Sequence, residues 1–542
     1  MSKNHASLNL SEWNPEDDGQ WQSGGSKLAW RTLSISIPAL LCGFAVWMLW
    51  SVVTVQMLNL GFPFSKTQLF TLTAIAGLSG ATLRIPSTFF IRLFGGRNTL
   101  LYTTGLLLWP AIGAAIALQN LNTPLWVFQL LALLSGIGGG NFASSMSNIS
   151  FFFPRRMQGL ALGLNAGLGN FGVTAIQVGV PLIITSSVFG GMYMVLEKAS
   201  GTPFGKIPAG TMTYLQNAGW LCIMAVIPLL VLIRWGLVNI TAPHVTPKVP
   251  GYFRVVLHIS LLLGVGLFTT ASGLWLMLPH DAGGLGIQLS KWLVLPVMVV
   301  ATLGIMNVVL PAEARQILTR QYGIFKNAHT WVMTVIYTMT FGSFIGFSAA
   351  LPLAITVVFG FVHQQGADGV WSHAIINPHA PAAFMYAWIG PFIGAAARPV
   401  GGWLADKWGG ARVTQICAVL MIAGALGAAY YLQAAYASAT PEVYFSATLA
   451  MFVLLFFASG LGNGSTFRTI AMVFNREQTG PVLGWTAALA AYGSFLIPQI
   501  IGEQMEGGTP HYAMYGFAAF YLLCLLLNGA VYLRRGARHF NP

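Results

Sequence analysis

Two arginines carry the first chemical signal. Arg84 lies inside the apolar stretch Gly80–Gly96, GATLRIPSTFFIRLFGG, and Arg398 inside Gly394–Gly410, GAAARPVGGWLADKWGG. The stretches share a register: Gly80 matches Gly394, Arg84 matches Arg398, and Gly95-Gly96 matches Gly409-Gly410. A charge inside a bilayer costs roughly 2.5–3.5 kcal/mol even on insertion scales. Two such charges at equivalent points of a repeat point to a site between the repeats. The carboxylates Glu12, Glu16, Asp17, Asp18, Glu197, Asp281, Glu313, Asp368, Asp406, Glu442, Glu477, Glu503 and Glu506 all fall in tails, loops or helix ends. None is expected at mid-membrane, where a buried charge demands a partner. A bound anion would supply one, because a planar guanidinium donates two parallel hydrogen bonds to a planar oxyanion. A second reading stays open. Each arginine stands about eight residues, or roughly 12 Å, from its cytoplasmic turn, within snorkelling reach of headgroups or end carbonyls. Arg468, nearer the end of its helix, reads as structural.

Around this pair stand polar and aromatic candidates. The run Ser135–Val173, SGIGGGNFASSMSNISFFFPRRMQGLALGLNAGLGNFGV, is glycine-rich. Small residues let helices pack closely, which accounts for most of these glycines. They also let backbone approach a small ligand beside a cavity. Asn141, Asn165 and Asn170 favour that second role, since amides inside such helices need partners; Thr486 and Ala491 replace Asn165 and Asn170 in the second half. Phe142, Tyr337 and Phe341 read as core packing on their own. Around a small anion they become lids, with Tyr337 a hydrogen-bond donor. The turn Gly402–Arg412 sets Asp406, Lys407 and Arg412 at a cytoplasmic helix junction, where a charge network would lock one conformation. Arg92 stands where Asp406 does in the second half, so the lock is expected to be degenerate in the first.

The rest of the chain excludes other chemistries. It has no GxxxxGK[ST] loop, no Cys/His metal cluster and no nucleophile triad. Cys42, Cys222, Cys417 and Cys524 sit singly in apolar runs. His363, His373 and His379 share an outer loop without regular spacing and read as solvated. An enzyme, an ATP-driven pump, a metal and a cofactor are therefore not expected.

These side chains need a scaffold, and composition defines it. The chain is 55% hydrophobic and 7% charged, with a mean hydropathy of +0.69, against about 25% charge in soluble domains. Recurrent apolar runs of about 20 residues define an all-α polytopic membrane protein rather than a barrel of short alternating strands. Helices are expected at roughly 33–57, 67–92, 98–118, 125–153, 157–189 and 213–240, then 252–278 and 290–310, then 328–360, 381–405, 411–436, 443–474, 479–503 and 512–534. That makes about fourteen transmembrane helices.

The net charge of +13 is a topology signal, not a nucleic-acid footprint. Arg92/Arg97, Arg155/Arg156, Arg234/Lys248, Arg315/Arg320/Lys326, Lys407/Arg412, Arg476 and Arg534/Arg535/Arg538 alternate with Asn120–Pro124, Asp281, Asp368 and Glu442. This places both termini in the cytoplasm. Lys66, Lys198, Lys206 and Lys291 fall outside without reversing the bias. Met1–Ala29 is polar and acidic and lacks the order of a signal peptide.

The repeat extends beyond the arginines. Ser135–Gly140 resembles Ser459–Gly464, and Gly159, Gly163, Ala166, Leu168 and Gly172 match Gly480, Gly484, Ala487, Leu489 and Gly493. The expected organisation is a tail (1–29), a six-helix half (30–240), an inserted transmembrane hairpin with linkers (241–326), a second six-helix half (327–536) and a short tail (537–542). The hairpin at about 250–312 has no counterpart and reads as a spacer or lipid-facing pair.

Two six-helix halves with GxxxDKxGG-like turns resemble the major facilitator superfamily. Within it, Gly138–Pro154, Gly159–Val173 and Ser459–Phe467 look like the signatures of the nitrate/nitrite porter family. Trp13–Asp17 and Phe341–Ala349 are similar too. The resemblance covers both halves; the inserted hairpin departs from a plain twelve-helix member. It implies a nitrate and nitrite site near the midplane, clamped by Arg84 and Arg398, walled by Phe142, Tyr337 and Phe341, and lined by Asn165 and Asn170. It implies that the helices bearing Gly138, Gly139, Gly140, Gly167, Gly169, Gly462 and Gly464 flex during alternating access. The expected protein is a monomer in the bacterial cytoplasmic (inner) membrane, without nucleic-acid partners.

Two facing arginines repel when empty and are bridged when an anion is bound, so reorientation should require cargo. This favours nitrate/nitrite exchange. Proton-coupled nitrate uptake is the alternative, with His258, His329 and Glu503 as conceivable but interfacial or remote proton sites. An anion channel and a receptor using the hairpin are weaker alternatives.

Overall fold

The computed structural model describes residues 10–242, 250–367 and 371–542. The expectations placed on Lys248 and Asp368, and on the tail before Leu10, lie outside these residues. Inside a bilayer every backbone N–H and C=O must find a partner within the chain, and helices provide that. The first half comprises α1 (Ser26–Met48, continuing as Trp50–Asn59), α2 (Lys66–Ser87, continuing as Phe90–Phe94), α3 (Gly96–Leu106 and Leu108–Ala117), α4 (Leu125–Phe152), α5 (Gln158–Ile183) and α6 (Asn217–Gly236). The inserted pair is α7 (Tyr252–Met277) and α8 (Lys291–Val309). After a surface helix at Ala312–Gln321 come α9 (Ala328–Tyr337, a π turn at Thr338–Gly342, then Ser343–Phe359), α10 (Ile389–Trp408) and α11 (Gly410–Tyr436). The chain ends with α12 (Phe445–Val473), α13 (Arg476–Ala491 and Gly493–Glu506) and α14 (Pro510–Asn528).

Twelve helices among the described residues are long and apolar enough to cross a membrane. The helices that carry Arg84 and Arg398 stand outside that set. They are the polar centre of the bundle: α2 packs between α4 and α13, and α10 between α5 and α12. The halves meet along α2 with α13 and α5 with α10. The inserted pair lies against α2, and its Lys291 ion-pairs with Glu503 of α13 at 2.5 Å.

Local chemistry fixes where the arginine helices begin and end. α2 starts on a capping box: Ser65 Oγ accepts from Gln68 N at 3.1 Å, and the Gln68 side chain accepts from Ser65 N at 3.0 Å. Pro86 cannot donate a backbone bond, and α2 breaks just beyond it, before resuming at Phe90. Both helices then end on glycines in equivalent conformations, Gly95 with φ 82° and Gly409 with φ 89°. A side chain at either position would be strained.

The outer loops carry short two-stranded ladders. Met194–Val195 pairs antiparallel with Met212–Thr213, Ser200–Thr202 with Gly205–Ile207, and Phe361–Gln365 with Trp371–Ile376. These ladders pair backbone groups beyond the helix ends. The helix expected from 381 begins at Ile389, after a separate turn at Ala383–Tyr386.

Candidate anion site

The two arginines are fully buried, each at 0% exposure. Arg84 donates from Nε to Gly139 O at 2.8 Å and from Nη1 across the halves to Ala487 O at 3.2 Å. Arg398 donates from Nη1 across the halves to Ala166 O at 3.3 Å. Ala166 and Ala487 are repeat equivalents, so the two cross-half bonds mirror each other. The symmetry then breaks. Arg84 keeps one unpartnered nitrogen, Nη2, whereas Arg398 keeps two, Nε and Nη2. Those two form one edge of the guanidinium, the edge that can grip two oxygens of a planar anion. Gly139, whose carbonyl takes Arg84 Nε, corresponds to Asn463; Arg398 Nε makes no matching bond.

Aromatic rings surround both charges. The Arg84 Cζ lies 4.6 Å from the Phe142 centroid, 4.7 Å from Phe341 and 4.9 Å from Trp47. The Arg398 Cζ lies 4.1 Å from Phe344 and 5.4 Å from Phe341. Phe341 therefore touches both arginines. It stacks on Phe142 at 5.3 Å and on Tyr337 at 5.6 Å. A desolvated cation gains about 2 kcal/mol from such a face, well short of the several kcal/mol needed to offset burial of an ion. None of the ion pairs among the described residues includes Arg84 or Arg398.

The other expected residues divide. Tyr337 is buried and its hydroxyl has no partner. Asn170 Nδ2 shares the Ala166 carbonyl with Arg398, donating to it at 2.6 Å, and its Oδ1 is unpartnered. Asn165 is instead engaged within its own half, donating to Ser145 Oγ at 3.0 Å. Gly138, Gly139, Gly140, Gly167, Gly169, Gly462 and Gly464 all press on neighbouring helices; a Cβ on Gly138 would lie 2.1 Å from Gly43 O, and one on Gly464 2.2 Å from Arg398 O. Close packing accounts for them in this conformation.

Sequence reasoning passed over Trp47, Phe344 and Asn463. Phe344 follows Phe341 by one helical turn, a spacing that puts both on one face. Asn463 is buried with both amide atoms unpartnered, and its signal was a polar residue replacing glycine in the repeated motif.

A second constellation closes the end of the bundle that carries the C-terminus and the described N-terminal segment. Asp406 accepts from Leu160 N at 3.0 Å, so a carboxylate of α10 caps the start of α5 in the other half. Its ion-pair partner is Arg468, at 3.1 Å but not aligned as a hydrogen bond. Lys407 and Arg412 do not join this network: both are exposed, and Lys407 sits over the Trp403 ring at 4.0 Å. Gly159 and Gly402 allow the close approach, since a Cβ on Gly402 would lie 2.2 Å from Gly159 O. The equivalent contact in the first half is not degenerate. Arg92 meets Glu477, in the first turn of α13, at 3.7 Å. The N-terminal segment lies across both halves: Trp13 is buried and donates to Phe151 O at 2.8 Å, Glu16 accepts from Arg155 N at 2.8 Å, and Asn14 accepts from Arg476 at 3.0 Å.

Helix order and the paired halves match solved transporters. The proton:xylose symporter XylE superposes with a TM-score of 0.57 at 14% identity, covering 95% of this chain and 98% of that one. The human organic anion transporter MFSD10 gives 0.52 at 14%, covering 92% and 99%. The fold is that of the major facilitator superfamily, and the chain is an integral membrane protein.

No family model matches the sequence. Full-length relatives do. A probable nitrate/nitrite antiporter of Thermus thermophilus, NarK2, is 36% identical across 97% of both chains. The nitrate/nitrite transporter NarU of Escherichia coli is 34% identical across 97% of this chain and 96% of the relative. The nitrite extrusion protein of Bacillus subtilis is 23% identical across 90% of each. The chain belongs to the nitrate/nitrite transporter family of this superfamily.

Proposed function

We propose that the protein exchanges nitrate for nitrite by alternating access, binding one anion at a time between Arg84 and Arg398. The observation that carries this reading is the unpartnered edge of Arg398, buried near a second arginine with an unpartnered nitrogen and in none of the ion pairs among the described residues. A nitrate or nitrite ion brings two or more oxygens and one negative charge, which suits that edge. In this reading Tyr337 adds a neutral donor, Phe142, Phe341 and Phe344 exclude water, and Asn170 steadies the Ala166 carbonyl that holds Arg398. Asn165 braces α4 and α5 rather than touching the anion. The glycine-rich contacts slide when the halves rock, and Asp406 with Leu160 N and Arg92 with Glu477 hold the closed end.

Exchange follows from the charges. Without cargo, two guanidiniums repel across the interface; with cargo, the anion joins the halves and the carrier can turn. The conceivable proton sites support exchange over symport because each is engaged elsewhere. Glu503 pairs with Lys291, His329 contacts Tyr532 at 3.1 Å, and His258 stacks on Phe94 at 6.3 Å. We place the chain as a monomer in the bacterial inner membrane, with both termini cytoplasmic and all fourteen long helices crossing.

The test uses proteoliposomes. Vesicles loaded with nitrite should take up external nitrate, and vesicles loaded with no anion should not. Nitrate uptake into anion-free vesicles, driven by a pH gradient, would overturn exchange.

A further inference from the structure

A cavity of about 460 Å³ opens beside α3, α6 and the start of α7, lined by Arg97, Asn98, Arg234, Asn239 and Tyr252. Arg97 and Asn98 stand in the first turn of α3, Arg234 in the last turn of α6, and Tyr252 at the first position of α7. Three segments thus converge on one opening at the end of the bundle that carries the C-terminus. Among the described residues, neither arginine forms an ion pair and no acidic residue lines the cavity. Gly95 supplies no side-chain cap to α3, and among the described residues the first-turn amide of Asn98 is met by Asn239 Oδ1, at 3.3 Å. The cavity is therefore positive from two guanidiniums and one helix N-terminus.

Its depth is marked by neighbouring side chains. Trp235 is 80% exposed and Phe253 78% exposed. Exposed aromatics beside basic residues are characteristic of the headgroup layer. Next to them the apolar faces of α6 and α7 present Leu232 and Leu257, both exposed. A phosphate in the cavity would have its acyl chains alongside these faces, which a free phosphate ion would leave bare.

We propose that this cavity binds the phosphate of an anionic phospholipid. Arg97 and Arg234 grip the phosphate, and Asn98 and Tyr252 add polar contacts to the headgroup. Bound there, one lipid ties the inserted pair to the first half through α7. The site is separate from Arg84 and Arg398 and does not depend on which anion is carried.

The full chain, purified and delipidated in a neutral detergent, is titrated with short-chain phosphatidylglycerol, short-chain phosphatidylcholine or inorganic phosphate while its thermal unfolding midpoint is followed. Phosphatidylglycerol should raise the midpoint and phosphatidylcholine should not. The double variant Arg97→Gln/Arg234→Gln should bind phosphatidylglycerol on the order of tenfold more weakly, and Arg97→Lys/Arg234→Lys should restore most of the binding. An unchanged response in the Gln variant, or no response in the native chain, would overturn the site. Inorganic phosphate reproducing the whole shift would overturn the lipid assignment.

Discussion

Replacing Arg398 by lysine keeps a positive charge and removes the fork. Arg398 presents Nε and Nη2 without partners, and its single protein bond is the 3.3 Å contact to Ala166 O. That carbonyl keeps its 2.6 Å bond from Asn170 after the change, so the scaffold loses little. The anion loses more. A hydrogen bond to a charged group is worth about 1.5–3 kcal/mol. An ammonium is a point donor that retains one bond in place of two parallel ones. The loss of one such bond corresponds to roughly a 10- to 150-fold weaker apparent affinity. The assay is nitrate uptake into nitrite-loaded proteoliposomes, measured across external nitrate concentrations, with thermal unfolding as a check on folding. Arg398→Lys should raise the KM for nitrate within that range at a near-native unfolding midpoint. A KM within about twofold of the native value, in a folded variant, would remove the fork from the mechanism. Arg84→Lys tests something else, because it would also strip donors from Gly139 O and Ala487 O; that variant should lose stability as well as affinity.

Three further outcomes are expected. Tyr337→Phe removes a buried hydroxyl that has no protein partner, so stability should hold while the KM for nitrate rises by roughly 10- to 150-fold, one hydrogen bond to a charged acceptor; an unchanged KM would take the hydroxyl off the anion. Asp406→Asn turns the charge-assisted bond from Leu160 N of the other half into a neutral one and leaves Arg468, in its own half, without its ion pair, weakening the contact between the halves by about 1 kcal/mol; alkylation of a reporter cysteine introduced as Ser147→Cys should quicken about fivefold, and an unchanged rate would refute the lock. Gly402→Ala places a Cβ against Gly159 O, where the gap is 2.2 Å; exchange should fall at least about tenfold as closure is blocked, and native exchange would show that this contact can open without consequence.

The arginine pair was legible because charge inside an apolar run is rare, and because the repeat doubled it. The lack of a mid-membrane acid was equally plain from the positions of the carboxylates. What the sequence could not convey was direction. Asn165 and Asn170 sit five residues apart on one helix, yet Asn170 meets the arginine's carbonyl while Asn165 turns to Ser145. Asp406, Lys407 and Arg412 looked like one network by proximity in the chain. Burial separates them: Asp406 faces Leu160 of the other half and is joined by Arg468 from α12 of its own half, while the two bases face outward. Arg92 looked like the loss of a lock, because its partner Glu477 is supplied by the opposite half and no local pattern announces it. The π turn at Thr338–Gly342, which carries Phe341 between the arginines, also left no periodic trace.

The reversed polarity of the two end contacts also bears on how the chain assembles. One half offers Arg92 and the start of α5, which has no cap from its own N-cap residue; the other offers Asp406 and the acidic start of α13. Two first halves brought together would set Arg92 against a positive helix start. Two second halves would set Asp406 against Glu477. Each half is thus keyed to its unlike partner: the charges favour the heterotypic pairing and disfavour the look-alike made of two copies of either half.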